Sequence, residues 1–140
     1  MRRLAAITLA GAVVAGCATY AAERPAYRSA GNERSFRAAL AGKVPGRPVD
    51  CLQSYRTNDM QVIDDNTILF RDGSRTYVQS PVGGCAPLGS GHYTLVTKSF
   101  GGMGLCRGDI ARVVDLSGGG MTVGSCALDS FIPFERPRRS

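Results

Sequence analysis

The chain has 140 residues, enough for one modest domain with extensions. It carries 17 basic and 11 acidic residues, a formal net charge of +6, and it contains 18 glycines, one histidine and no tryptophan. This composition excludes a polytopic membrane protein, a long coiled coil and a metal site built from several histidines. It does not identify a reaction.

The N-terminus has the plan of an export signal. Arg2 and Arg3 precede a weakly apolar stretch, LAAITLAGAVVA, that is rich in small residues. This order is typical of a secretory signal peptide. The alternative is an uncleaved signal anchor, because residues 4–22 contain no charge and are long enough to span a bilayer. The high content of Ala and Gly favours a cleaved signal.

The apolar stretch ends in Val14-Ala15-Gly16-Cys17, which resembles the lipobox of bacterial lipoproteins. The resemblance implies a signal peptide over residues 1–16 and acylation of Cys17, with a diacylglyceryl thioether and an N-acyl chain such as palmitate. Acyl chains anchor a protein at about 0.8 kcal/mol per buried CH₂. Ala18 is not the Asp associated with inner-membrane retention, so the resemblance implies an outer-membrane protein facing the periplasm.

Residues 17–45 mix Ala, Arg, Glu, Ser, Gly and Pro and are predicted to form a flexible tether. A short helix over residues 33–41 is the alternative, because Phe36 and Leu40 are four positions apart and Gly42 would end it. Near a bilayer, arginines contribute about 1 kcal/mol each to attraction by anionic lipid head groups. The tether arginines expected to do so are Arg24, Arg28, Arg34 and Arg37.

Residues 46–134 alternate between β-prone runs and turn residues. This pattern predicts a mainly β fold, a small antiparallel sheet, sandwich or barrel-like domain. Asp72-Gly73 and the SGGG segment at residues 117–120 are hairpin signals. The predicted strands lie in residues 61–63, 67–70, 76–78, 93–96, 110–116 and 121–123. Residues 135–140 are predicted to be a basic tail.

Four cysteines follow Cys17, and an even number in a small exported domain predicts two disulfides. Their spacing lacks the close pairs of a zinc site. Three connectivities are open. We favour Cys51–Cys126 with Cys85–Cys106, because the first pair lies near the two ends of the domain, and domain ends tend to be close in space.

Five short motifs occur in a distinctive order: RPVDC, VIDDNTILF, GCxPL, LCRGD and CxLxxF. Together they resemble an uncharacterised family of small bacterial exported lipoproteins, a domain of unknown function. The resemblance spans about residues 46–134 and includes all four disulfide cysteines. It implies a class and a compartment, and it carries over no activity, ligand or catalytic residue.

Candidate chemistry is weak elsewhere. His92 could join Ser90 or Ser99 and Asp109 or Asp115 in a hydrolase triad, but no nucleophile-elbow motif supports this, and a surface histidine is the simpler interpretation.

Three loop motifs have structural explanations as well. Arg107-Gly108-Asp109 spells an adhesion motif, but its position predicts the start of a strand. The acidic run at residues 64–66 lacks the spacing of a calcium loop and predicts a turn. The Gly-rich segments at residues 83–88 and 101–104 lack the features of phosphate or dinucleotide loops.

We therefore expect a cell-envelope lipoprotein that acts as a non-catalytic binding or accessory module, with no cofactor, no metal and no catalytic residue. The alternative is a small periplasmic hydrolase or an inhibitor of an envelope enzyme. The expected partners are the membrane, through the lipid anchor, and anionic lipid head groups or another envelope protein. Nucleic acid is not expected, because the basic residues are not interleaved with aromatics.

Overall fold

The computed structural model describes residues 28–53, 59–98 and 104–138. Within them the protein is mainly β, with one α-helix and ten strands in three antiparallel sheets, which confirms the predicted fold class. The helix is α1 (Ala30–Leu40), and the strands are β1 (Val44–Pro45), β2 (Cys51–Leu52), β3 (Met60–Asp64), β4 (Thr67–Asp72), β5 (Arg75–Gln79), β6 (Tyr93–Thr97), β7 (Leu105–Cys106), β8 (Ile110–Asp115), β9 (Thr122–Ala127) and β10 (Phe131–Glu135).

The largest sheet has five strands in the order β1-β10-β5-β4-β3. The hairpin predicted at Asp72-Gly73 is present on this sheet, between β4 and β5. Asp72 pairs with Arg75 across a two-residue turn, in which Gly73 has the positive φ of 56° that a turn of this length favours. The C-terminal strand closes onto the N-terminal part of the domain, since Val44 pairs with Glu135.

The second sheet has three strands in the order β6-β8-β9, and β2 pairs with β7 in a separate two-stranded sheet. The predicted hairpin between β8 and β9 is confirmed, with residues 116–121 at its tip. A 3₁₀ turn, Leu88–Ser90, leads into β6.

One hydrophobic core joins the five-stranded and three-stranded sheets. Ile68, Phe70 and Phe131 from the larger sheet pack with Leu95 and Val113 from the smaller one. The rings of Phe70 and Phe131 meet edge to face at 5.9 Å between centroids. A buried polar side chain has its hydrogen bonds satisfied by the backbone of a loop.

That group is Gln79, which has no exposed surface. Its side-chain amide donates to the carbonyl of Asp129 at 2.6 Å and accepts from the amide of the same residue at 3.2 Å. Two backbone groups of a loop are thereby paired, as buried polar groups require.

The two predicted disulfides are confirmed, but the favoured connectivity is wrong. The bonds join Cys51 to Cys106 and Cys85 to Cys126. Cys51 and Cys106 are directly opposed on β2 and β7, whereas Cys126 of β9 lies against the loop that carries Cys85. The ends of the domain do meet, but at β1 and β10 rather than at the outermost cysteines.

The predicted tether over residues 17–45 is wrong from Arg28 onward, because α1 and β1 belong to the folded domain. Ser29 caps the helix by accepting from the amide of Asn32, and Gly42, with φ 69°, ends it as predicted. Phe36, Ala39 and Leu40 cover Leu69 and Val78 on the outer face of the five-stranded sheet.

The C-terminal boundary also moves by one residue. Glu135, assigned to the basic tail, is the last residue of β10, and its carboxylate accepts from Arg75 Nε at 3.0 Å. The described part of the tail is residues 136–138.

Because Leu40 is half-buried on the sheet, we expect Leu40→Ala to lower the free energy of unfolding by about 1–2 kcal/mol, less than at a fully buried leucine. Denaturant unfolding of the oxidised protein would measure it. The control is Ser35→Ala, an exposed position of the same helix, where we expect less than about 0.5 kcal/mol. Equal effects of the two substitutions would mean that residues 30–40 do not pack on the sheet.

The two disulfides should differ in their accessibility to reductant. Cys85 and Cys126 are 1% and 6% exposed, whereas Cys51 and Cys106 are half-buried. Limiting reductant under native conditions should therefore release Cys51 and Cys106 first, as measured by alkylation and peptide mass mapping. In denaturant the preference should disappear. Initial labelling of Cys85 and Cys126 in the folded protein would contradict the expected order.

Candidate functional site

Several residues of the predicted sites lie outside the described part of the chain. These are Cys17, the expected lipidation site, the tether residue Arg24 and the triad candidate Ser99.

The remaining candidates for a triad are not assembled as one. His92 is exposed just before β6, which confirms a surface histidine. The hydroxyl of Ser90 donates to the carbonyl of Pro87 at 3.0 Å. Within residues 28–53, 59–98 and 104–138, no hydrogen bond joins Ser90 to His92, or His92 to Asp109 or Asp115. A nucleophile, a base and an orienting carboxylate need those bonds to act together.

Asp115 instead organises the β8–β9 hairpin tip. Its Oδ1 accepts from the amide and the hydroxyl of Ser117, both at 2.8 Å. The Ser117 hydroxyl is the largest cause that lowers the pKa of Asp115, followed by amide hydrogen bonds, with nearby His92 a smaller cause. The carboxylate is a local turn cap that remains charged at neutral pH.

Arg107-Gly108-Asp109 lies in the turn between β7 and β8, which confirms the prediction that it opens a strand. Gly108 has φ 88°, and the carboxylate of Asp109 accepts from the amide of Cys106 at 2.7 Å. Arg107 lies 3.4 Å from the carboxylate of Asp129. The Asp109 side chain is thus engaged within the turn, and the exposed Arg107 is paired with Asp129, which lies between β9 and β10.

The acidic run at residues 64–66 also forms the predicted turn. Asp64 accepts from the amide of Asn66 at 2.9 Å, as in an Asx turn. Asp65 then links this turn to the 3₁₀ segment, because its carboxylate accepts from the amide of Gly89 at 2.6 Å. A Cβ at Gly89 would lie 2.9 Å from the backbone nitrogen of Asp65, so the close approach requires glycine.

Arg28 joins the N-terminal end of the described chain to this turn. Its Nε donates to Asp64 at 3.0 Å, its Nη2 donates to Thr67 at 2.7 Å, and its Nη1 lies 3.2 Å from Glu33. The guanidinium carbon also lies 4.1 Å from the ring centroid of Phe36, a cation–π contact.

The tether arginines were expected to be free to attract anionic head groups, but two of them are bonded to carboxylates of the domain. Arg37 donates to Glu33 at 2.6 Å. The hydrogen bonds from Arg37 and then Arg28 hold the pKa of Glu33 below its usual range. Arg28 and Arg37 are therefore paired within the domain and are not free charges on a tether. Arg34 is exposed.

The surface carries a small number of exposed large apolar side chains. Leu116 is 67% exposed and Met121 is 65% exposed, and they flank the Gly-rich tip of the β8–β9 hairpin. The sequence pattern predicted Leu116 and Met121 as the ends of the flanking strands, but β8 ends at Asp115 and β9 begins at Thr122, so both residues belong to the hairpin tip. The available signal was the position of Leu116 and Met121 at the two ends of a segment of Ser117 and three glycines, which offers no large side chain to cover them.

Within the described ranges, no helix is long and apolar enough to cross a bilayer, and no three His, Cys, Asp or Glu side chains are grouped so that they could hold a metal ion. Comparisons with models of protein families, with curated proteins and with solved structures find no match. Among the described residues, the candidate for a binding site is the hairpin tip with the exposed side chains of Leu116 and Met121.

We expect Ser117→Ala to raise the pKa of Asp115 toward its ordinary value, because the Ser117 hydroxyl is the largest cause of the lowered value. Titration of the Asp115 carboxyl carbon by NMR would measure this. Since the folded pKa is lowered, the stabilisation by the carboxylate is present at neutral pH and is lost as the pH falls through the folded pKa. Ser125→Ala, an exposed serine on β9, is the control and should leave the titration unchanged.

Proposed function

We propose that this protein is a cell-envelope lipoprotein, anchored through acylated Cys17 in the outer membrane and facing the periplasm, whose folded domain is a non-catalytic binding or accessory module. The observation that carries the proposal is the Val14-Ala15-Gly16-Cys17 segment at the end of an apolar stretch typical of an export signal. Cys17 lies eleven positions before Arg28, the first residue that the structure describes. The resemblance to small exported lipoproteins of unknown function points to the same class.

The two disulfides support export. Bonds between cysteines persist in oxidising compartments such as the periplasm and are rare in the cytosol. The Cys85–Cys126 bond closes a separation of 41 residues, for which the chain-entropy estimate is about 4 kcal/mol, comparable with the whole stability of a small domain. A domain that depends on such bonds is suited to an oxidising compartment.

The contacts of the candidate residues favour binding over catalysis. Ser90 and Asp115 are used in turn hydrogen bonds, and Arg107 and Asp109 in the contacts of another turn. Recognition of a partner would therefore depend on other exposed side chains of the domain. Attraction to anionic head groups would depend on Arg34 and Arg24, since Arg28 and Arg37 are paired with carboxylates.

The first test is acylation in the cell. We expect Cys17→Ser to abolish incorporation of labelled fatty acid and to leave the precursor unprocessed, because the thiol is the proposed acceptor of the lipid. Thr19→Ser lies outside the Val14–Cys17 segment and is the control, with labelling and processing unchanged. If the Cys17→Ser protein were still cleaved and still fractionated with the outer membrane, the lipoprotein proposal would be wrong.

A further inference from the structure

We propose that the tip of the β8–β9 hairpin, residues 116–121, inserts Leu116 and Met121 into the interfacial layer of the lipid bilayer that holds the anchor. The inference rests on the lipid anchor proposed above. It gives the anchored domain a second contact with the membrane and a fixed orientation on it.

The tip has the composition of an insertion loop. Leu116 and Met121 are the two most exposed large hydrophobic residues in the part of the chain that the structure describes. Between them lie only Ser117 and three glycines, so the tip contains no charge. Exposed apolar groups clustered on a surface indicate a binding partner more often than isolated ones do.

Three main-chain amides of the tip are hydrogen-bonded within the protein. The amide of Leu116 donates to the carbonyl of His92 at 3.2 Å, and the amide of Gly120 donates to the carbonyl of Asp115 at 3.0 Å. The amide of Ser117 donates to the Asp115 carboxylate at 2.8 Å. Because unpaired amides are costly to remove from water, these internal bonds lower the cost of insertion.

Asp115 also limits the depth of insertion. Its hydrogen bonds with Ser117 favour the charged form, and a charged carboxylate belongs at the level of the head groups. Leu116 and Met121, the residues beyond it, would then reach the boundary between head groups and acyl chains, a depth of about 5–10 Å for interfacial segments.

The apolar tip is connected to Arg28, the first residue that the structure describes, through two other turns. A continuous run of contacts connects the two: Arg28 bonds to Asp64, the adjacent Asp65 bonds to Gly89, and the carbonyl of His92, three residues on, bonds to Leu116. The N-terminal end of the described domain and the apolar tip are thus linked through the β3–β4 turn and the 3₁₀ turn at Leu88–Ser90.

The length of the connecting chain permits contact. Eleven positions separate Cys17 from Arg28, so the anchor lies at most about 40 Å from the domain. A short connection keeps the effective concentration of bilayer near the tip high. Two apolar side chains can then hold a contact that would be too weak for a protein free in solution. The partner that fits these features is a bilayer surface.

The test uses the full acylated chain in phosphatidylcholine vesicles. The native chain has no tryptophan, so Met121→Trp and Leu116→Trp each create a single fluorophore at the tip. We expect the emission of both variants to shift to shorter wavelength and to lose intensity when the vesicles contain lipids brominated near the head-group end of their chains. Thermal unfolding of each variant would establish that the exposed substitutions leave the fold intact.

The control is Val44→Trp, at a residue that is 49% exposed on β1. Val44 pairs with Glu135, whose carboxylate accepts from Arg75 beside the β4–β5 turn. This turn and the β3–β4 turn, which Arg28 contacts, are at opposite ends of β4. The emission of this variant should be unaffected by brominated lipid.

Different failures have different meanings. If the chain floats with the vesicles and the tip variants are quenched no more than Val44→Trp, the insertion is refuted while the anchor stands. If the chain carries no acyl group and does not float, the anchor proposal is refuted, and the inference with it. Protection of the tip tryptophans from acrylamide in native envelopes, but not in protein-free vesicles, would show that the tip binds a protein and would overturn insertion into lipid.

Discussion

Neither of the two larger sheets could bury its inner face alone, so the fold depends on the core they share. Val113 from β8 and Phe131 from β10 are both fully buried in that core, although they belong to different sheets. The Cys85–Cys126 bond reinforces the same junction, because Cys126 belongs to β9 while the amide of Cys85 donates to the carbonyl of Asp65 in the β3–β4 turn. This junction positions the β3–β4 turn and the loop that carries Cys85.

The five-stranded sheet is covered on both faces, so it needs packing partners on each side. Ile68 and Phe70 enter the shared core, while Leu69 between them points to the opposite face and packs under α1. A strand of this kind needs a cover on each side. The helix supplies the outer cover, and Arg28 holds its start against Asp64, so residues that resemble a linker in composition are part of the folded domain.

The sequence predicted the elements of the fold better than their connections. The hairpin at Asp72-Gly73 and the bonded state of four cysteines followed from turn chemistry and from cysteine number. The disulfide pairing failed because the N-terminal boundary of the domain was placed too late: the paired ends are Val44 and Glu135, not the outer cysteines. The uninterrupted run Ile68-Leu69-Phe70 was the available signal for a covering helix, since a strand with one exposed face would alternate.

The charged residues show why composition alone misplaces a surface. From the sequence alone, Arg28 and Arg37 are positive charges expected to attract anionic lipid. In the structure both are paired with carboxylates, and Arg28 also stacks on Phe36. These ion pairs therefore neutralise the charges of Arg28 and Arg37 at the N-terminal end of the described chain. They also determine where the chain enters the fold, beside the turn whose contacts lead to the β8–β9 tip. The apolar side chains Leu116 and Met121 are therefore more available at the surface than the guanidinium group of Arg28, which is engaged in holding the fold together.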